Sequence, residues 1–398
     1  MGYLILILMV IAIVAVYFYK KKISLTKSKK LDERFFVTLT GLSAVFIIIF
    51  IAYLVIHIFL LGKTSLSWEF LTTPPKDGLT GGGIFPAIVG TSLLVMIMSI
   101  IGVPIGTITA IYLAEYAKEN SIFTKSIRFA VNTLAGVPSI VFGLFGLGFF
   151  IGVVGKQMDV VETNRRLDKM EVVFNQKSSA FADDGMANGN EISALLAKND
   201  KAYWSTQEEQ VKLLSEVYGE GNPIPKTAAI KFFRERLQPR WGQPSLIWAA
   251  LTMALLTLPV VIVSVEEAIK TIPRDLREAS LALGATKFMT ILRVVIPGAL
   301  PGILTGTILT ISRGAGEVAP ILFTGVAYYL PDLPNTVSSQ FMHLGYHIYV
   351  LATQSTNVEL TKSLQYATTF VLLALTFALN FTAVLIRSKI RSKAGSHS

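Results

Sequence analysis

Arg313 and Glu317 stand four residues apart in a run, 299–325, that holds no other charge. A charged side chain inside a membrane span costs roughly 2.5–3.5 kcal/mol and marks function by default. A helical wheel places Gly306, Thr310, Arg313, Glu317 and Thr324 within about 60° of one another, a narrow polar stripe on an apolar helix. A guanidinium carries a permanent charge and a planar fork of donors that suits an oxyanion. Glu317, one turn on, balances Arg313 when no anion is present, which keeps the site weak enough to release its ligand. The alternative is a permanent Arg313–Glu317 pair that locks the helix or a contact between subunits.

Other chemistry is thin. The chain has no cysteine, which excludes disulfides, thiolate metal sites and cysteine nucleophiles. His343 and His347 have the i, i+4 spacing of two ligands on one helix face, but no third ligand lies nearby in sequence, so they read as part of a polar outer loop and no metal is expected. "HIFLLGKT" (57–64) has the Gly-Lys-Thr of a nucleotide-binding loop, with His57 where the first glycine belongs and a membrane helix where a strand belongs. No catalytic residue and no cofactor are expected. "GGGIFPAIVGTS" (81–92) runs into a helix whose first amides could attract an anion, or whose small residues simply allow close packing. Asn132, Pro138 and Ser139 put polar and helix-breaking features in another apolar run.

The elements that hold these residues are membrane helices. Apolar residues make up 52% of the 398 and charged ones 16%, with mean hydropathy +0.57. Seven segments approach or exceed the roughly 20 residues of a span: 3–19, 35–62, 86–114, 127–154, 246–269, 299–325 and 365–388. Lys20, Lys21 and Lys22 follow the first rather than precede it, the reverse of a cleavable signal, so it reads as an uncleaved anchor with its N-terminus outside. Regions 20–34, 115–128, 266–293 and the tail from Arg387 alternate to share one side and carry 19 basic against 8 acidic residues. The other side carries 16 against 17, so the net charge of +10 is a positive-inside bias. No basic stripe on a folded domain suggests nucleic acid. A polar insertion, 156–245, falls on the outer side. Within it "STQEEQVKLLSEVYGEGNP" predicts a helix capped by Ser205 and ended by Gly219 and Pro223, "PKTAAIKFFRERL" a second, and "SSAFADDGMANGN" a loop.

On the cytoplasmic side, between the expected spans 246–269 and 299–325, lies "DLREASLALGATKFMTILRVVIPGALPG" (275–302). Leu276, Ser280, Leu281 and Gly284 share one helical side, Gly284 breaks the helix, and Phe288, Ile291, Leu292 and Val295 resume the spacing. Helix, glycine turn and helix, continuous with a span, can dock on a soluble partner and pass its motion to the membrane. Glu278-Ala279-Ser280, then Gly284, then Val294-Val295-Ile296-Pro297 resemble the EAA signature of ABC importer permeases, with Val and Ile where that family ends in Ile-x-Leu-Pro. "GGGIFPAIVGTSLL", "AGVPSIVFGLFGLGFF" and "RGAGEVAPILFTG" narrow the resemblance to PstA-type permeases of phosphate importers. It covers about 35–155 and 245–390, and neither the first helix nor the insertion.

The resemblance implies an all-α, polytopic inner-membrane protein with a type I ABC importer permease core. The expected parts are an anchor helix and basic linker (1–34), core (35–155), insertion (156–245), core with coupling segment 266–297 (246–390) and a basic tail (391–398). It implies that Glu278, Ala279, Ser280, Gly284 and Pro297 belong to ATPase coupling and that Arg313, Glu317, Thr310 and Thr324 line the phosphate path. Its implied partners are a second permease, two ATPase subunits, an extracytoplasmic phosphate-binding protein and lipid. Two rivals stand beside it: a type I importer for sulfate or another small solute, and a membrane-anchored sensor acting through 156–245. A secondary transporter has no use for a docking helix pair.

Overall fold

The computed structural model describes residues 29–76, 79, 81–118, 120–174, 186–187, 192, 208–219, 222, 224–236, 239–355 and 358–395. The chain divides into units 1–61 and 62–398. The first contributes nearly all of α1 (Lys29–Gly62), charged in its first turns and apolar on all sides from Phe36, with the Phe46 and Phe50 rings stacked at 6.4 Å. The anchor expected at 3–19 lies outside the described residues.

The second unit opens with α2 (Trp68–Thr72), capped by Ser67, and a ribbon of β1 (Pro75–Lys76) and β2 (Gly81–Gly82). Helices α3 (Phe85–Ile111), α4 (Ile122–Gly136) and α5 (Ser139–Phe145) follow, and α5 runs through a wide-turned stretch, Gly146–Gly155, into α6 (Lys156–Phe174). The insertion adds β3 (Met186–Ala187), α7 (Glu208–Tyr218), β4 (Ile224–Pro225) and α8 (Lys226–Arg236). Then come α9 (Leu246–Lys270), α10 (Arg274–Ala282), α11 (Lys287–Thr290), α12 (Ile296–Gly316), α13 (Leu344–Thr353) and α14 (Val358–Gly395).

Six described helices are long and apolar enough to cross a membrane: Phe36–Gly62, Phe85–Tyr116, Ser139–Arg165, Leu246–Lys270, Lys287–Gly316 and Thr361–Lys389. α9 is the hub. Its span is 67% buried, against 33% or less for each of the others. Small residues bring its neighbours close: a side chain at Gly106 of α3 would meet Val261 at 2.6 Å, and one at Gly306 of α12 would meet Ser264 at 3.1 Å. Lipid supplies little hydrophobic drive between helices, so such close packing is what joins them. One core cluster, with Leu94, Met98, Met253 and Phe341, gathers around the first half of α9. A second, with Ala110, Val261, Val265 and Val295, surrounds its last turns.

Two expected spans change shape. The run 127–154 is not one helix: α4 stops at Gly136 and α5 restarts after Pro138, because proline has no amide to donate and disfavours a helical residue before it. The run 299–325 is helical only to Gly316, and Glu317 is extended (φ −85°, ψ 128°) with Pro320 three residues on. Residues 317–343 instead form an irregular return. Its carbonyls of Thr324, Val337 and Ser339 accept from the amides of Ser245, Ile247 and Leu246 at 2.8–2.9 Å, so they satisfy the open N-terminus of α9. Non-helical backbone at membrane depth survives only when protein satisfies it in this way.

In the insertion, α7 ends at Gly219 (φ +87°), and Ser205 lies outside the described residues. Two residues of the expected loop, Met186 and Ala187, pair with Pro225 and Ile224. The helix α6 was not anticipated from its polar sequence. It extends a helix already formed in α5, so it needs no new nucleus. Asp159 of α6 accepts from the amides of Arg240, Trp241 and Gly242 at 2.9, 2.8 and 2.6 Å, and Glu162 accepts from the Trp241 indole at 2.7 Å. This clasp joins the two ends of the insertion.

Candidate functional site

The surface helix pair α10–α11 is built as its sequence suggests. Gly284 takes φ +84°, and a side chain there would meet nothing within 4 Å, so glycine serves the backbone angle rather than packing. Around it the amides of Ala285 and Gly284 donate to the carbonyls of Ser280 and Leu281 at 3.2 and 3.0 Å, a Schellman ending to α10. Thr286 caps α11, and the Ser280 and Thr290 hydroxyls meet at 2.9 Å, fixing the angle between the helices. Glu278, Ala279 and Pro297 are exposed. So are Leu276, Leu281, Phe288 and Leu283, the last at 90%. A rigid, partly apolar knuckle therefore projects from the bundle.

The knuckle's root was not legible in the sequence. Arg277 donates through Nε and Nη2 to Glu115 at 3.1 and 2.9 Å, and Nη2 also reaches the Ile269 carbonyl at 2.8 Å. Lys287 donates to the Glu115 carbonyl and lies 4.8 Å from the Tyr116 ring centroid. Glu115 and Tyr116 belong to a wide i→i+5 turn, Tyr112–Tyr116, that ends α3. Such turns recur at functional sites. The same turn offers the Leu113 carbonyl to Arg128 of α4 at 3.4 Å. Arg128 in turn pairs with Glu266 at 2.7 Å, as does Lys270. These groups lie up to 172 residues apart in sequence, and only their identity as charges near helix ends could have flagged them.

At the far end of α12 the structure separates the predicted stripe. Gly306 and Thr310 are buried, and the Thr310 hydroxyl donates to the Gly306 carbonyl at 2.9 Å. Arg313 is exposed, on the side of α12 that carries exposed Leu309 and Gly316. Glu317 is half-buried beyond the helix end, and no ion pair joins it to Arg313. Thr324 is buried in the irregular return, its hydroxyl on the Pro320 carbonyl at 3.0 Å, so the wheel that placed it with Arg313 does not apply. Arg313 stands in the last turn of α12, where open carbonyls favour a cation.

The two histidines are not loop residues exposed to water. His343 caps α13, accepting from the Gly345 amide through Nδ1 at 3.1 Å, and both rings are buried. Burial lowers the pKa of His343 to about 3 and that of His347 to about 4. His343 precedes the helix, so the pair does not share one helix face. The stretch 81–92 packs tightly: a side chain at Gly90 would lie 2.1 Å from the Met342 carbonyl oxygen.

Residues 102–392 match the family described as "Binding-protein-dependent transport system inner membrane component". The "Probable ABC transporter permease protein YqgI" of Bacillus subtilis (strain 168) is 27% identical over 297 residues, covering 75% of this chain and 71% of that protein. The "Phosphate transport system permease protein PstA 1" of Mycobacterium tuberculosis (strain CDC 1551 / Oshkosh) is 30% identical over 241 residues, 61% of this chain, and the match spans half of that relative's length. A solved chain of the MetNI methionine ABC transporter, in an inward-facing form, aligns over 77% of this chain at 15% identity and a TM-score of 0.41.

Proposed function

The chain belongs to the family of binding-protein-dependent transport system inner membrane components, as a permease subunit of a type I ABC importer, and from that premise we propose that its cargo is phosphate. The names of several relatives support this cargo. The observation that carries the residue assignment is Arg313, exposed and without an ion pair to Glu317, at one end of a helix whose other end grows from the knuckle. A second permease facing Arg313 would complete the path, and the fork of donors would meet the oxyanion there. The knuckle, through Glu278, Ala279, Ser280 and Gly284, docks on one of two ATPase subunits, whose closure rocks α12 and switches access. A binding protein delivers phosphate on the opposite face. In this reading the knuckle is cytoplasmic, the N-terminus is outside and the C-terminus is cytoplasmic.

The test is uptake of labelled phosphate in cells carrying Arg313→Gln, with co-purification of the subunits as the control. Lost uptake with intact assembly is the expected result. A complex that falls apart would instead make Arg313 a structural contact, and uptake inhibited by excess sulfate but not by excess phosphate would reassign the cargo.

A further inference from the structure

A cleft of about 230 Å³ opens between α4, α9 and the Tyr112–Tyr116 turn, walled by Leu113, Arg128, Asn132, Glu266, Glu267 and Lys270. It lies at the knuckle's end of the bundle, in the half opposite Arg313. Arg128 Nη1 and Lys270 Nζ both address the same oxygen, Oε1 of Glu266, at 2.7 Å. The burial is graded. The Glu266 side chain is 8% exposed, Arg128 38% and Lys270 59%. The carboxylate is the most buried of the three, and it lines the cleft together with its two cations.

Arginine offers five donors and lysine three. Arg128 uses Nη1 on Glu266 and Nη2 on the Leu113 carbonyl, and Lys270 gives one hydrogen to Glu266. Donors of both cations thus remain unspent, and Arg128, Lys270 and Asn132 line one open space large enough for a tetrahedral anion.

We propose that this cleft is a binding site for a phosphate-class oxyanion, with Glu266 as its built-in competitor. The anion takes the remaining donors of Arg128 and Lys270, while Glu266 competes for the same cations and Glu267 repels from the same wall. Affinity is therefore weak. Occupancy reaches the knuckle through the turn that holds both Leu113 and Glu115. The same chemistry is carried by inorganic phosphate and by the headgroup of an anionic phospholipid, for which basic pockets between helices are a common berth. The proposal goes beyond the cargo assignment and does not depend on it.

The experiment uses the purified complex in two arms. One measures equilibrium binding of radiolabelled inorganic phosphate. The other identifies lipid retained in native mass spectrometry after reconstitution in phosphatidylcholine discs with or without phosphatidylglycerol. Glu266→Gln is expected to raise retention of one ligand by about tenfold or more, since a neighbouring like charge opposes an anion by an amount between its value in bulk water and its larger value near a protein surface. Adding Lys270→Gln should cancel the gain. Phosphate retention assigns the free anion, and phosphatidylglycerol retention without phosphate assigns the headgroup. Equal retention of both ligands in wild type, Glu266→Gln and the double variant overturns the proposal. Should Glu266→Gln fail to assemble, Lys270→Gln alone decides, since that side chain is largely exposed: it must lower whichever ligand the wild type holds, and no change overturns the site. Retention is expected to persist in Arg313→Gln, which separates failure of the cleft from failure of the transport path.

Discussion

His343 and His347 show what burial does to a titrating group. With folded pKa values of about 3 and about 4, both rings stay neutral in the native state through mild acid. The unfolded chain takes up protons as pH falls below about 6.5. The stability tied to these rings is complete above that value and declines as pH drops towards the folded pKa values, by up to about 1.4 kcal/mol per pH unit for each ring. Melting temperatures of the detergent-solubilised protein between pH 7.5 and 5 should therefore fall with acid. His343→Asn keeps an acceptor for the Gly345 amide and should flatten that dependence, and an unchanged slope in His343→Asn/His347→Gln would rule the explanation out. At this scale the sequence made Arg313 conspicuous, because a lone cation in an apolar run needs no partner to be noticed. It could not show the Arg277–Glu115 pair, because nothing local marks two ordinary surface charges as neighbours. Glu115→Gln removes the charge from that anchor, whose side chains are only 19% and 11% exposed. Uptake is expected to fall while ATPase co-purification persists, and parallel loss of both would limit the pair to holding the knuckle's fold.

For the elements, hydropathy placed four of the six described spans within a few residues, since roughly 20 apolar residues suffice to define one. It failed where apolar backbone is buried without being helical. Residues 317–325 are apolar enough to continue α12, yet the chain turns to meet the open amides of α9. Hydropathy measures burial and says nothing of which group satisfies the backbone; Pro320 and Pro138 were the available signs. Two glycines separate angle from space. Gly284→Ala should cost about 1–2 kcal/mol, the strain of an L-residue in a left-handed conformation, and weaken ATPase co-purification with little change in the melting of the bundle. Gly90→Ala drives a methyl into a backbone carbonyl that cannot rotate away, and overpacking of this kind costs about 1–3 kcal/mol. Gly148→Ala, with nothing within 4 Å, is the control that should leave the melting temperature in place. Equal melting of the Gly90 and Gly148 variants would contradict the packing described.

Across the whole molecule, the clasp at Asp159 makes the insertion separable from the bundle. Both ends of residues 166–238 are held at one post by the Asp159 and Glu162 contacts to 240–242. Replacing that stretch with a short Gly/Ser linker should leave melting and phosphate uptake near wild type, since insertions whose ends are already tied are the ones a fold tolerates losing. Uptake abolished in a well-folded variant would give the insertion a part in transport. The same arrangement sets a timetable for synthesis. α3 is complete long before α9, its principal packing partner, emerges from the ribosome, and at ~5–20 residues per second the intervening chain takes on the order of ten seconds to make. Through that interval the glycine-lined groove of α3 lies open to lipid, without the hub it was shaped to fit. A nascent chain stalled in the insertion would thus present the membrane's quality-control proteases with a helix whose notch is still vacant, so the length of the insertion governs how long each new molecule stays vulnerable.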